Sequence, residues 1–282
     1  MKPDATRKLL EKLDRGEPIL GTMASTSYDP GILHALKWAD YEYVVVDTQH
    51  SIQNQEALRS YAAEGVYLGL AIWIRPQYSL GQYITRPLDN GVTGVMSPML
   101  ATPEQAREIV EAAFYPPIGN RSYGAKAIAV AGQEFGRLQD RLDYINANTA
   151  VFAQIETVEG VENLPRILAI EGIAGAIVGP NDLAVSLGLT DVPYPEVFDH
   201  RRYEEAMEEI LRCCTKAGKH AGAHFMDASL CKRWMARGYK VIMVGTDLTF
   251  LAAGAKADME SLRGKAQAPR TRGRSKRGSA RR

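Results

Sequence analysis

The chain has 282 residues, enough for one large α/β domain or two small ones, and its 45% hydrophobic residues suffice for a sizeable core. No apolar run approaches the roughly 20 residues that span a bilayer. The amino terminus has no apolar signal segment, and the three cysteines show neither a disulfide framework nor zinc spacing. We therefore expect a soluble, cytoplasmic protein.

The net charge of +1 conceals a basic carboxyl-terminal tail. Residues 263–282 contain nine Lys or Arg and no Asp or Glu, which leaves 25 basic and 33 acidic residues, a net charge of −8, in the rest of the chain. Gly and Ser without an apolar run predict a disordered tail. We therefore expect one folded domain over 1–262 and a solvated appendage over 263–282, for which nucleic-acid binding is the less favoured interpretation.

Eight apolar runs alternate with helical patterns along the chain. The predicted strands are 19–23, 43–46, 70–74, 92–96, 151–155, 173–178, 220–224 and 241–244. The predicted helices are 5–15, 30–38, 54–64, 80–89, 102–113, 161–168, 203–217, 230–236 and 247–262, with a short helix after Leu183. The long stretch from Tyr115 to Asn148 is either a functional loop or carries a helix of its own.

This alternation over about 250 residues is typical of an α/β fold of the (β/α)8 barrel type. A doubly wound sheet is the alternative, but no glycine-rich nucleotide fingerprint supports it. Polar residues follow many of the strands, and in a barrel these strand ends meet at one mouth. They are Asp47, Arg75, Ser97, Glu156, Asp182, His224 and Asp247.

The most informative stretch is a strand, helix and strand from Val151 to Leu189. One carboxylate, Glu156, follows the first strand, and another, Asp182, follows the second within Gly-Pro-Asn-Asp. Parallel strands end on the same side, so we expect the two carboxylates to lie close together. Such a pair suits a hard divalent cation with open positions for water and substrate. The alternative is that either residue only caps a helix.

Further candidates come from neighbouring strand ends. Asp47 and His50 could form an acid–base pair in which the carboxylate fixes the imidazole tautomer, although this spacing is a weak signal. Arg75 could stabilise an oxyanion, or could simply pair with an acid such as Asp47. Gln154 shares a strand face with Glu156. His224 could contact the distal part of a substrate, or could simply be packed.

The chain resembles the HpcH/HpaI aldolases, the metal-dependent class II pyruvate aldolases. The matching segments run in family order over roughly residues 18–260: VVVDTQHS, IRP, GVTGVMSPML, YPPIGNRSYG, QIETVEGVENLPRI and GIAGAIVGPNDLAVSLG. The resemblance implies a TIM barrel of the phosphoenolpyruvate/pyruvate type. It also implies homo-oligomers, commonly hexamers, in which the last helix is exchanged between subunits.

The resemblance also implies chemistry for individual residues. Mg²⁺, Mn²⁺ or Co²⁺ would be held at Glu156 and Asp182, and a small-molecule 2-keto acid would complete the coordination. Arg75 would stabilise the enolate oxygen, and His50 with Asp47 would take part in proton transfer. The substrate would be bound by Gln154 and by Gly179, Pro180, Asn181 and Asp182.

The implied reaction is reversible cleavage of a 4-hydroxy-2-oxo acid to pyruvate and an aldehyde. The same enolate serves two alternatives, oxaloacetate decarboxylation and a carbon–carbon bond formation like that of macrophomate synthase. A non-catalytic metabolite-binding barrel is a third alternative. Gln49, Ser122 and His224 depart from the family pattern, and His224 bears on which aldehyde fits.

Overall fold

Eight parallel strands close into a barrel in chain order. The computed structural model describes residues 4–27, 29–51, 55–79, 81–124 and 133–263. The strands are β1 (Ile19–Ala24), β2 (Tyr43–Asp47), β3 (Ala71–Arg75), β4 (Gly94–Ser97), β5 (Ala150–Ile155), β6 (Ile173–Val178), β7 (His220–Phe225) and β8 (Val241–Thr246). The closing pair is β8 with β1, also parallel. The predicted barrel is therefore confirmed, and the doubly wound alternative is wrong.

Helices follow the strands around the outside of the barrel. They are α1 (Ala5–Asp14), α2 (Ile32–Trp38), α3 (Gln55–Leu68), α4 (Gly81–Asp89), α5 (Pro103–Ala113), α6 (Leu138–Ala147), α7 (Val158–Leu168), α8 (Pro180–Ser186), α9 (Arg201–Lys216), α10 (Ala228–Arg237) and α11 (Asp247–Arg263). A short 3-10 helix spans Glu196–Asp199. The long stretch before β5 thus carries a helix, α6. The predicted tail beyond residue 263 lies outside the described residues.

Local chemistry explains where these elements begin. Helix α5 starts at a capping box, in which the Thr102 side chain accepts from the Gln105 N–H and the Gln105 side chain bonds back to the Thr102 backbone. Helix α7 starts at Thr157, whose hydroxyl accepts from the Gly160 N–H. Strand β2 is buried along its whole length and is rich in β-branched valine, as expected for a strand inside an α/β barrel.

Aromatic rings fill the interior of the barrel below the mouth. Tyr43 stacks on Trp73 with ring centroids 4.3 Å apart, and Trp73 stacks on Phe152 at 5.3 Å. A Cβ at Gly94 would lie 2.3 Å from the Trp73 ring, so only glycine fits there. The Trp73 indole N–H donates to the Thr6 hydroxyl of α1 at 3.0 Å. Helix α1 thus contacts this interior stack, while the carboxyl ends of the strands form the mouth.

Among the described residues, no helix is long and apolar enough to cross a membrane. The last helix, α11, makes few contacts with its own barrel. From Leu251 to Arg263 every one of its residues is exposed, including Leu251 at 70% and Leu262 at 79%.

Candidate active site

The carboxyl ends of the strands surround a cavity of about 790 Å³. Nine of the ten residues predicted for the site lie in its wall: Asp47, His50, Arg75, Gln154, Gly179, Pro180, Asn181, Asp182 and His224. The tenth, Glu156, lies outside that wall, in contact with Gln154, and is 1% exposed. The barrel topology therefore brings the predicted residues together, with Glu156 buried behind the cavity wall.

Glu156 follows β5 directly and has few partners for a buried carboxylate. Its Oε1 accepts from the Met99 backbone N–H at 2.6 Å, and its Oε2 accepts from the Gln154 side-chain amide at 2.6 Å. Burial, with a smaller contribution from the nearby charge of Asp182, raises the pKa of Glu156 to about 6, although the two hydrogen bonds and the charge of Arg75 act to lower it. Within the described part of the chain, no ion pair neutralises it.

Two neighbours of the Glu156 carboxylate shape the site: Gly179, which has no side chain, and Gln154, which has a free acceptor atom. A Cβ at Gly179 would lie 2.2 Å from Glu156 Oε2, so glycine is required for the β6 turn to approach so closely. The Oε1 of Gln154 is buried and has no hydrogen-bond partner. An unpaired buried acceptor is costly unless a ligand satisfies it.

Asp182 provides the second carboxylate. It lies in the first turn of α8, is exposed, and lines the cavity. It does not cap the helix, because Gly179 occupies the N-cap position and no side chain makes a capping bond there. The capping alternative for Asp182 is therefore wrong.

The donors around Glu156 suit a divalent cation. Two carboxylates, Glu156 and Asp182, and the unpartnered amide oxygen of Gln154 are all hard oxygen ligands. Burial raises the pKa of Glu156, and no described residue forms an ion pair with its carboxylate. A cation would compensate the charge of that carboxylate, so the residues present fit the metal that the resemblance implies.

Arg75 and Asp47 form a bidentate ion pair. Arg75 Nε donates to Asp47 Oδ1 at 2.9 Å and Nη2 donates to Oδ2 at 2.8 Å. The two residues are register partners at the ends of β2 and β3, which sets them side by side. Of the alternatives that the sequence left open for Arg75, the ion pair with Asp47 is present, and Arg75 also lines the cavity.

The predicted contact between Asp47 and the His50 imidazole is not found among the described residues. Asp47 Oδ1 instead accepts from the backbone N–H groups of Gln49 at 3.0 Å and His50 at 3.4 Å. The sequence spacing allowed either contact, and the tight turn after β2 favours the backbone. His50 itself is exposed at the cavity, so it remains within reach of a ligand.

His224 is a neutral residue of the wall. Its Nε2 lies 2.9 Å from the Gly245 carbonyl oxygen, which requires the proton on Nε2 and leaves Nδ1 as an acceptor. Burial lowers the pKa of His224 to about 4, and the charge of Arg75 contributes to the lowering. At neutral pH this residue can accept a hydrogen bond but carries no charge.

Sequence reasoning missed the role of Met99 and misplaced that of Asp247. Met99 has a φ of 51°, an unfavourable left-handed conformation that directs its N–H to Glu156. Asp247 lies outside the cavity wall and accepts from the backbone N–H groups of Ser25, Thr26 and Ser27. The Ser-Pro pair before Met99 was a turn signal, but no sequence signal pointed to an amide aimed at Glu156.

Comparisons with known proteins agree with this geometry. The model of the HpcH/HpaI aldolase/citrate lyase family matches residues 23–253. The chain belongs to this family. The predicted membership of the HpcH/HpaI family is thus confirmed.

Relatives with named activities and a solved structure match most of the chain. A 4-hydroxy-2-oxo-heptane-1,7-dioate aldolase from Shigella sonnei is 33% identical over 249 residues, 87% of this chain and 90% of the relative. A hydroxypyruvate/pyruvate aldolase from Deinococcus radiodurans is 33% identical over 254 residues, 89% and 88% of the two chains. The crystal structure of an HpcH/HpaI aldolase from Desulfitobacterium hafniense superposes with a TM-score of 0.83 at 26% identity, covering 90% and 95% of the two chains.

Proposed function

We propose that this protein is a divalent-metal-dependent aldolase, a carbon–carbon lyase that reversibly cleaves a 4-hydroxy-2-oxo acid to pyruvate and an aldehyde. The observation that carries the proposal is the buried carboxylate of Glu156, which has no ion-pair partner among the described residues and lies beside Gln154, whose Oε1 is buried without a hydrogen-bond partner. The family and the relatives named aldolases support the same reaction class.

Glu156 and Asp182 would hold the metal, which is Mg²⁺, Mn²⁺ or Co²⁺. When bound, such a cation acts as a Lewis acid that lowers the energy of the pyruvate enolate. Gln154 lies against Glu156 and fixes the carboxylate through its amide N–H. Its free Oε1 would accept from a water or a substrate hydroxyl at the same site.

The turn after β6 would receive the substrate carboxylate. Gly179 N–H is already bonded to the Ile155 carbonyl at 3.1 Å, and Pro180 has no N–H. The backbone N–H groups of Asn181 and Asp182 are therefore the donors that this turn can offer. Gly179 and Pro180 would shape the turn, because a side chain at 179 would collide with Glu156.

Arg75 would stabilise the negative charge of the enolate, and His50 would accept a proton from the substrate. Two N–H groups of Arg75 are committed to Asp47, which locks the guanidinium, and the others can face a developing enolate oxygen. His50 lines the cavity and would accept the proton of the 4-hydroxyl group during cleavage. Asp47 would act by holding Arg75 and the turn that carries His50.

The relatives named aldolases favour the aldolase over the decarboxylase, the macrophomate-synthase-like enzyme and the non-catalytic barrel. The test is condensation of pyruvate with a panel of aldehydes, with hydroxypyruvate as a second donor, in the presence of Mn²⁺. We expect aldol product that disappears with EDTA and in Glu156→Gln, but persists in the matched surface control Glu171→Gln. Full metal-dependent activity of Glu156→Gln would refute the ligand assignment.

We also propose that the protein forms a homo-oligomer, with a hexamer favoured, through exchange of α11. The exposed apolar side chains of this helix support the proposal, because Leu251 and Leu262 contact little of their own barrel. Light scattering coupled to size exclusion tests it. A monomer at micromolar concentration would contradict it.

A further inference from the structure

The cavity extends past the keto-acid residues to a wall built by two loops. One is the turn between β7 and α10, and the other contains the 3-10 helix before α9. Apolar side chains and two acids make up this wall: Tyr194, Phe198, Asp199, Met226, Asp227 and Leu230. We call Asp199 and Asp227 the acidic pair.

Asp227 is a charged group in this wall. It is the N-cap of α10, and its Oδ1 accepts from the Ser229 N–H at 2.5 Å. These bonds to Ser229 hold the pKa of Asp227 below its ordinary value, so the carboxylate is ionised at neutral pH. Among the described residues it forms no ion pair, so its charge faces the cavity uncompensated.

Asp199 is paired with a cation that is not part of the cavity wall. Arg233 Nη1 bonds to Asp199 Oδ1, and Arg233 Nη2 donates to the Phe198 carbonyl at 2.8 Å. Glu204 lies 4.0 Å from the same guanidinium. Arg233 does not line the cavity. It is therefore engaged by protein groups and cannot meet a ligand without giving up these bonds.

The rest of the described lining offers little positive charge to a distal group. Arg75 is the one Lys or Arg in that lining, and two of its N–H groups are held by Asp47. His224 donates its Nε2 proton to the Gly245 carbonyl and is neutral. A carboxylate at the distal end of the aldehyde would face the like charge of Asp227, which no ion pair among the described residues compensates.

We propose that the acidic pair selects the aldehyde: Asp199 and Asp227 accept hydrogen bonds from the hydroxyl groups of a short, uncharged hydroxyaldehyde and reject aldehydes that end in a carboxylate. Met226 and Leu230 contact the carbon chain. This inference rests on the proposed aldolase function and names the class of its second substrate.

Two matched pairs of aldehydes test it on the full-length enzyme with Mn²⁺ and pyruvate. Succinic semialdehyde and its methyl ester differ in one charge, and glycolaldehyde and acetaldehyde differ in one hydroxyl. We expect kcat/KM to be about tenfold higher for the ester than for the acid, because like charges oppose each other across the wall. We also expect glycolaldehyde to exceed acetaldehyde. An acid used as well as its ester would overturn the inference.

Substitutions at Asp227 and Asp199 test whether these two residues cause the preference for uncharged aldehydes. Asp227→Asn keeps an N-cap side chain, so α10 should remain intact, and it should raise the acid-to-ester ratio of kcat/KM about fivefold or more. Asp199→Asn is a second variant, which also frees Arg233 and should raise the ratio. Glu171→Gln, an exposed acid at the opposite end of the barrel, should leave the ratio unchanged. A ratio that neither of the first two variants raises would overturn the inference.

The outcomes separate this inference from the function on which it rests. If no aldehyde reacts and pyruvate exchanges no methyl protons with any divalent metal, the aldolase proposal fails. If pyruvate exchanges protons and the acid outperforms its ester, the aldolase proposal stands and the acidic pair has no selective role.

Discussion

Glu156 and Asp247 occupy equivalent positions but have opposite environments. Each directly follows a strand of the barrel, and each is nearly buried, 1% and 5% exposed. The oxygens of Glu156 accept from one backbone amide and from Gln154, and burial raises its pKa to about 6. Burial also raises the pKa of Asp247, but the surrounding N–H groups outweigh it and hold that pKa below its ordinary value.

The number of hydrogen bonds distinguishes Glu156, which we propose as a metal ligand, from Asp247, which braces the structure. Asp247 ties the loop after β1 to the end of β8 through the N–H groups of Ser25, Thr26 and Ser27. Its lone pairs are used, so it has little to offer a cation. Each oxygen of Glu156 accepts one hydrogen bond, which leaves a lone pair for a cation, and Asp182 provides a second carboxylate nearby. Glu156 and Asp247 both follow a strand, but they differ in the number of hydrogen bonds that their carboxylates accept.

The largest expected effect comes from removing the charge of Glu156. Glu156→Gln should weaken Mn²⁺ binding by roughly 100-fold or more, because loss of a ligand should exceed the 10- to 100-fold cost of losing an outer-shell partner. Isothermal titration of the metal-free protein measures this. Glu171→Gln is the control, and an unchanged affinity in Glu156→Gln would contradict the proposed ligand role of Glu156.

Removing the charge of Asp247 should affect stability rather than metal binding. Asp247→Asn loses charge-assisted bonds from the loop after β1, and we expect a loss of about 3 kcal/mol in the free energy of unfolding. Urea denaturation measures that loss, and Mn²⁺ titration of the folded variant should show the affinity of the parent protein. A variant as stable as the parent would contradict the bracing role.

The contacts of the site differ in how far the sequence alone predicts them, because they depend on different levels of structure. The convergence of Glu156, Gln154 and Asp182 follows from parallel strands alone, so the sequence pattern sufficed. The pairing of Asp47 with Arg75 depends on the register between β2 and β3 and on side-chain conformations, which the sequence left open. The bonds of Asp247 depend on the path of a loop more than 200 residues away in the chain, which no local pattern encodes.

A neutral His224 makes the mouth sensitive to acid. Its folded-state pKa of about 4 lies below the ordinary value of 6.5, so the unfolded chain binds the proton more tightly. Stability from this residue is therefore full above pH 6.5 and is lost as the pH falls to 4, by about 3 kcal/mol. His224→Gln should reduce the pH dependence of the unfolding free energy over this window by that amount. An identical pH dependence in both proteins would contradict the assignment.

The smallest effect is expected from the basic tail. Deleting residues 265–282 removes eight Lys or Arg but none of the residues of the cavity. Turnover of the shortened enzyme should equal that of the full chain. A large loss would show that the tail contributes to the site or to the oligomer.

The most direct test of the central claim, that Glu156 and Asp182 hold a metal that promotes enolate formation, is exchange of the pyruvate methyl protons in D₂O, followed by NMR. With Mg²⁺ or Mn²⁺ the wild-type protein should exchange these protons, and EDTA or Glu156→Gln should abolish the exchange. Absence of exchange with every divalent metal, or exchange that survives both EDTA and the substitution, would contradict the account.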